Sequence, residues 1–299
     1  MKYGASELGY YYYWMQAEYF NLTRKPYLAQ AAQLDLIEVL ERSDVMGVGW
    51  RIADTYANLA LEQMASFELK QAIESFEEAG RRNVQTRRSY FTAKEYEASA
   101  LALLGENPQA LELIDFTINN TAEDGTMHLY RRVYIKAHIL FAAGNYKLAY
   151  QGLVQASLLA KKHRTGWNIG IRILHTLIHI ERELHDQADA EIEALRKHRN
   201  RLEKTGQDLS VRDRLILEVL LKLSKAGYDF RVVNQKMAWQ ITKLSEVFTP
   251  ASWVPTSHEK TPFHVWFNCK AKGQSYAFSL WPEAIAWQQS APGSPRKTG

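Results

Sequence analysis

Arg172, His175, His179 and Arg182 are separated by three, four and three residues, a spacing that puts all four on one stripe of a helix. Two kinds of chemistry fit that stripe. An arginine grips a carboxylate through two parallel hydrogen bonds, so the two arginines suit an acidic or carboxylate-bearing ligand. Histidines four apart suit a metal ion, with His138 as a third ligand. The zinc-protease pattern needs glutamate directly after the first histidine, however, and Thr176 stands there. The one cysteine, Cys269, is remote in sequence, so neither metal nor cofactor is expected.

A second constellation is basic: Arg81-Arg82, Lys161-Lys162-His163-Arg164, and Arg196-Lys197-His198-Arg199 with Arg201. Stacked along one edge these would suit nucleic-acid phosphates. Each group also falls late in a helical segment, where cations complement the helix dipole and free carbonyls. Glu41-Arg42 and Asn119-Asn120 interrupt the row, which favours the dipole explanation and makes nucleic acid a secondary expectation. Phosphate-loop, Gly-x-Ser-x-Gly and dinucleotide patterns are all missing, and Glu95, Glu97 and Glu181 are scattered, so no enzyme is expected.

The elements that must position these residues are helices. Apolar residues make up 46% of the 299 and charged residues 23%, proportions of a folded soluble chain. No stretch reaches the roughly 18 apolar residues of a membrane span. The N-terminus lacks the pattern of a signal peptide, and one cysteine cannot form an internal disulfide, so a cytoplasmic location is expected. Breakers such as Lys25-Pro26, Gly105-Glu106-Asn107-Pro108, Gly144-Asn145 and Ala226-Gly227 divide residues 5–246 into twelve helical segments. Loops this short pair them into six antiparallel hairpins. The first segment carries Tyr10-Tyr11-Tyr12-Tyr13-Trp14, too many aromatics for one buried stripe, and therefore offers a packing or docking face.

Alanines 32, 72, 110, 149 and 190 recur at 40, 38, 39 and 41 residues, followed four positions later by Leu36, Phe76, Ile114, Leu153 and Ala194. A period of this size marks a stacked solenoid. Around Ala149, the run Ala137, Gly144-Asn145-Tyr146, Ala149, Leu153 and Ala156 resembles the tetratricopeptide repeat (TPR). Tyr56, Ala60, Ala72, Phe76 and Ala79, then Ala98, Gly105, Ala110 and Ile114, fit the same pattern. The closing proline of that family is missing, and the period is longer than its usual ~34 residues, closer to the TPR-like arrays of bacterial regulatory and peptide-sensing proteins.

The resemblance implies an all-α fold: a right-handed α-α superhelix of about six hairpins over residues 1–246, with ligand contacts on the first helices. Carried across residue by residue, those contacts fall on Arg131, Tyr134, His138 and Phe141, and on Arg172, His175, His179 and Arg182. The expected function is a scaffold or adaptor holding a protein or peptide segment, with an acidic or carboxylate terminus as one suitable ligand. Alternatives are a signal-peptide sensor acting on an output domain, or the basic-edge nucleic-acid binder. Residues 247–289, with prolines alternating with Trp253, Trp266, Trp281 and Trp287, are expected to form an irregular cap. A strand pair at 263–268 and 276–280 is one form it could take. Residues 290–299 have the composition of a disordered tail.

Overall fold

The structure is a computed structural model that describes residues 3–43, 48–82, 87–120, 126–160, 167–247 and 249–276. Among them every regular element is a helix, and the chain divides into two compact units. Unit 1 contains α1 (Tyr3–Leu22), α2 (Pro26–Glu41), α3 (Val48–Ala65), α4 (Leu69–Arg82), α5 (Arg87–Leu103) and α6 (Asn107–Asn120). Unit 2 contains α7 (Thr126–Ala142), α8 (Tyr146–Ala160), α9 (Trp167–Glu181), α10 (His185–Lys204), α11 (Val211–Lys225), α12 (Phe230–Lys236), α13 (Ala238–Ser245) and α14 (Phe263–Ala271). No helix among the described residues is long and apolar enough to cross a membrane.

Five hairpins close through the same three-residue turn. Its middle residue, Arg24, Phe67, Gly105, Gly144 or Glu183, takes left-handed backbone with φ of 57°, 62°, 86°, 75° and 58°. The next N–H then reaches back to a carbonyl in the last helical turn: Lys25 to Phe20, Glu68 to Gln63, Glu106 to Leu101, Asn145 to Leu140 and Leu184 to His179, all at 2.8–2.9 Å. This is the Schellman closure, and it satisfies carbonyls that a helix end leaves unpaired.

The turn also fixes where the second helix touches the first. Five residues beyond each left-handed residue stands an alanine with no exposed surface: Ala29, Ala72, Ala110, Ala149 and Ala188. Four further on are buried Gln33, Phe76, Ile114, Leu153 and Ile192; three beyond those are Leu36, Ala79, Thr117, Ala156 and Leu195. The repeat alanine of the fifth hairpin is therefore Ala188 and not Ala190, which is exposed. In the first hairpin Ala32 is buried too, but Ala29 holds the equivalent place. Close approach shows at Gly152 of α8, where a Cβ would come within 3.3 Å of Ala137 on α7.

The sixth hairpin is less regular. Ser210 caps α11 by accepting from the Asp213 N–H at 3.0 Å, and Asp229 caps α12 by accepting from Val232 N–H at 2.9 Å. The last of the twelve expected segments, at residues 229–246, is broken at Met237, whose φ of −116° and ψ of 23° leave the helical region and separate α12 from α13. Beyond it, α14 corrects the strand expected at 263–268: Phe263, Trp266 and Phe267 are fully buried on a helix. Residues 249–276 pack inside unit 2, and the strand partner at 277–280 and the tail at 290–299 lie outside the described residues.

Two outcomes follow from this packing. Ala188→Leu overpacks the α9–α10 contact and lowers stability by about 1–3 kcal/mol in chemical denaturation, whereas Ala190→Leu changes it by less than about 0.5 kcal/mol; equal effects would refute the register. Glu62 on α3 is buried, and burial together with the Glu18 charge pushes its carboxyl up to about 7. An acid whose folded pKa lies above its unfolded value loses stability as pH rises between the two. Glu62→Gln therefore stabilises the protein at pH 8 by up to about 3 kcal/mol and hardly at all at pH 4, which thermal melts at the two pH values will read.

Candidate functional site

In each unit the first helices of successive hairpins touch one another, α3 against α5 and α7 against α9. The face they make is the one on which the resemblance read from sequence leads ligand contacts to be expected. Counting back from the left-handed turn residue gives the positions that share this face: thirteen, ten and six residues before it. On α3 these are Asp54, Ala57 and Leu61; on α5, Thr92, Glu95 and Ser99; on α7, Arg131, Tyr134 and His138; on α9, Gly170, Ile173 and Leu177.

In unit 1 part of this face is open. Trp50, Asp54, Ala57, Asn58 and Leu61 of α3 and Arg88, Ser89, Thr92, Ala93 and Tyr96 of α5 line a hollow of about 590 Å³. Phe76 of α4 forms its floor, fully buried and stacked on Tyr96 with ring centroids 6.4 Å apart. Half-exposed Trp50 stands at one end beneath the Arg51 guanidinium, 5.4 Å from the ring centre. Burial raises the pKa of Asp54, and a hydrogen bond with Ser89 partly offsets it. The hollow thus combines aromatic walls with Asp54, Asn58, Ser89 and Thr92, groups able to bond a main chain.

In unit 2 the corresponding face is filled by the chain itself. Tyr134 Oη donates to the His258 carbonyl at 2.7 Å, and His138 Nδ1 lies 2.6 Å from Thr261 Oγ1. Phe141 packs on Tyr276 with ring centroids 5.6 Å apart. Gly170 is needed here: a Cβ would meet the His258 carbonyl oxygen at 2.3 Å and Tyr134 Oη at 2.8 Å. From α11, Arg212 grips both carboxylate oxygens of Glu259, one through Nη2 at 2.9 Å and the other through Nε. Its Nη1 also donates to the carbonyls of Leu244 (2.9 Å) and Ala251 (2.7 Å). Asp213 bonds His258 Nε2 at 2.8 Å. Glu181, ending α9, accepts from Trp266 Nε1 at 2.6 Å and Lys270 Nζ at 3.3 Å, which anchors α14.

The electrostatics record this enclosure. Burial, helped by the Lys260 charge, pushes the His138 imidazole down to about 3. Burial and then Arg212 hold His264 well below its ordinary value. For His258, burial acts against the charged form, but the Asp213 carboxylate outweighs it and the pKa rises.

The stripe Arg172, His175, His179 and Arg182 meets partners on the second helices instead. Arg172 Nη1 donates to Glu191 of α10 at 3.0 Å, and His175 Nδ1 lies 3.6 Å from the same carboxylate. Tyr150 of α8 packs on both histidines at 5.5 and 5.4 Å, and the Arg182 guanidinium lies 5.5 Å from its ring centre. His138, the third ligand that spacing offered this pair, bonds Thr261 elsewhere in unit 2. Arg131 lies near Tyr134 on α7, partly buried. The eight expected contact residues therefore form two separate groups. The displacement of the α9 group follows from the register: with Ala188 as the repeat alanine, the facing positions move two residues back, to Gly170, Ile173, Leu177 and Ile180.

Of the basic groups, Arg81 and Arg82 both pair with Glu78, and Arg196 makes two bonds to Glu193 at 2.6 and 2.7 Å. Lys197 also approaches Glu193, and Arg199 pairs with Glu203. Residues 161–164 lie outside the described residues. On α1, Tyr11, Tyr12, Met15 and Tyr19 are more than half exposed, while Tyr10 and Tyr13 pack on the core around Leu36, Leu40 and Ile52.

Asp54, Ala57, Leu61 and Thr92 were not singled out from sequence. The repeat frame that placed Tyr134 and His138 before Ala149 reaches them when carried to Ala72 and Ala110.

No family model matches the chain, and no curated protein matches it in sequence. Among solved structures, a Rap protein complexed with competence and sporulation factor is similar, with a TM-score of 0.59 at 15% identity over 94% of this chain and 77% of that one. A tetratricopeptide repeat protein from Parabacteroides merdae aligns with a TM-score of 0.49 at 14% identity, covering 94% of this chain and 99% of that one. With its recurring turn, its buried repeat alanines and its likeness to the Rap protein, the chain has a TPR-like helical-repeat fold.

Proposed function

We propose that this protein is a scaffold that holds a polypeptide segment of a partner against the first-helix face of its hairpins. The observation that carries the reading is the α7–α9–α11 face, which binds an irregular stretch of the protein's own chain by side-chain bonds to main-chain carbonyls. The hollow between α3 and α5 lies on the equivalent face and is open to an external segment. There Trp50 and Tyr96 would cover apolar side chains, and Asp54, Asn58 and Thr92 would bond the ligand's main chain. The similar Rap protein, complexed with a factor, supports the reading through its fold. Of the residues first expected to bind, Arg131, Tyr134, His138 and Phe141 belong to such a face; Arg172, His175, His179 and Arg182 already engage Glu191 and Tyr150 and receive no ligand contact in this reading. It requires no bond-making chemistry and fits a protein of the cytoplasm.

A peptide library displayed on phage and selected on this protein should enrich segments that bind the hollow. Trp50→Ala with Tyr96→Ala should weaken the selected peptides by about tenfold or more, as loss of aromatic anchors does, without changing helicity. Peptides that bind the double variant as tightly as the wild type, or a selection that enriches none, would sink the proposal.

A further inference from the structure

Residues 249–262 cross the face of unit 2 without forming a helix, and Pro250, Pro255 and Pro262 punctuate them. Their attachment is unusually polar for a buried contact. Arg212, Glu259 and Lys260 are all under 10% exposed, and the stretch is held through Tyr134 to the His258 carbonyl, Arg212 to the Ala251 carbonyl and Glu259, and Asp213 to His258. A buried ion pair seldom contributes more than apolar side chains of the same volume, so a permanent cap has little use for one. Two features also make the contact readable by another chain. The carbonyl bonds are available to any sequence, and the Glu259 side chain is clasped by two parallel hydrogen bonds.

Resting on the reading that first-helix faces hold polypeptide segments, we propose that residues 249–262 are a built-in occupant of the unit 2 face, and that an acidic polypeptide segment takes their place. The acid is required by Arg212. Were Glu259 withdrawn, the Arg212 guanidinium would lie deep in the face without its counter-ion, a costly state that an incoming carboxylate relieves. Gly170 adds a second condition. Its missing side chain lets the occupant's main chain approach to where His258 places its carbonyl, one residue before the acid. The face thus selects a carboxylate preceded by a closely seated main-chain carbonyl, and while residues 249–262 are in place it is closed to competitors.

The test uses a fluorescent peptide with the sequence of residues 249–262 and the full chain, read by anisotropy. Glu259→Ala loosens the built-in stretch but leaves the receiving helices untouched, so this variant should bind the peptide. The wild type should bind it roughly tenfold or more weakly, because only the small fraction with an empty face is competent. A peptide carrying Glu259→Gln should bind the variant about tenfold or more weakly than the unaltered peptide. Adding Gly170→Ala to the variant should abolish binding. If the Glu259→Ala protein keeps its helicity but takes up no peptide, or takes up the glutamine peptide equally well, the proposal is overturned.

Should Glu259→Ala fail to fold, hydrogen exchange of the wild type decides. Amides of residues 251–261 that exchange well before those of α11 support a stretch that leaves on its own; exchange only together with α11 overturns it. Neither measurement involves the α3–α5 hollow, so failure here leaves the broader reading to its own test.

Discussion

A single residue of left-handed backbone between the helices of each of the first five hairpins is the constraint on which the rest of this structure depends. Glycine takes that conformation freely at 105 and 144, but Arg24, Phe67 and Glu183 adopt it against a steric cost of about 1–2 kcal/mol each. The return is that the chain reverses within three residues while carbonyls of the last helical turn still find partners. Reversal at a fixed point then determines which residue of the second helix meets the first, and a side chain no larger than alanine fits there.

The same turn governs the first-helix faces, because a rigid helix running back from it shows the same positions each time. The two units put different residues at those positions. Where unit 1 has Asp54 and Thr92, unit 2 has Arg131 and Gly170, and where unit 1 has Leu61, unit 2 has His138. The glycine admits a main chain into direct contact with the helix, while Asp54 and Thr92 lie along an open hollow. One backbone geometry thus carries both a filled face and an open one.

The first eleven helices, the pairing of the first five hairpins and the TPR-like repeat were legible in the sequence because breakers and apolar periodicity are local signals. The fifth repeat was misregistered because Ala188 and Ala190 stand two apart and because Glu183 conceals a turn that glycine marks elsewhere. That slip of two residues moved the expected contacts from Gly170 and Ile173 to Arg172 and His175, from one side of α9 to another. The filling of the unit 2 face left no periodic trace at all. Its determinants are a buried arginine, a glycine inside a helix and a proline-rich stretch, and they converge only through bonds that span from 32 to more than 120 residues. Long-range polar pairing of that kind has no sequence period to read.

Those long spans also impose an order in time. The hairpins close over three-residue turns and can form as soon as their own residues have left the ribosome, whereas the stretch that bonds Tyr134 and His138 is made more than 120 residues later. At about 5–20 residues per second, α7 emerges roughly 6–25 s before its covering. During synthesis every molecule therefore passes through an interval in which this face is bare, with the ends of its future occupant not yet made.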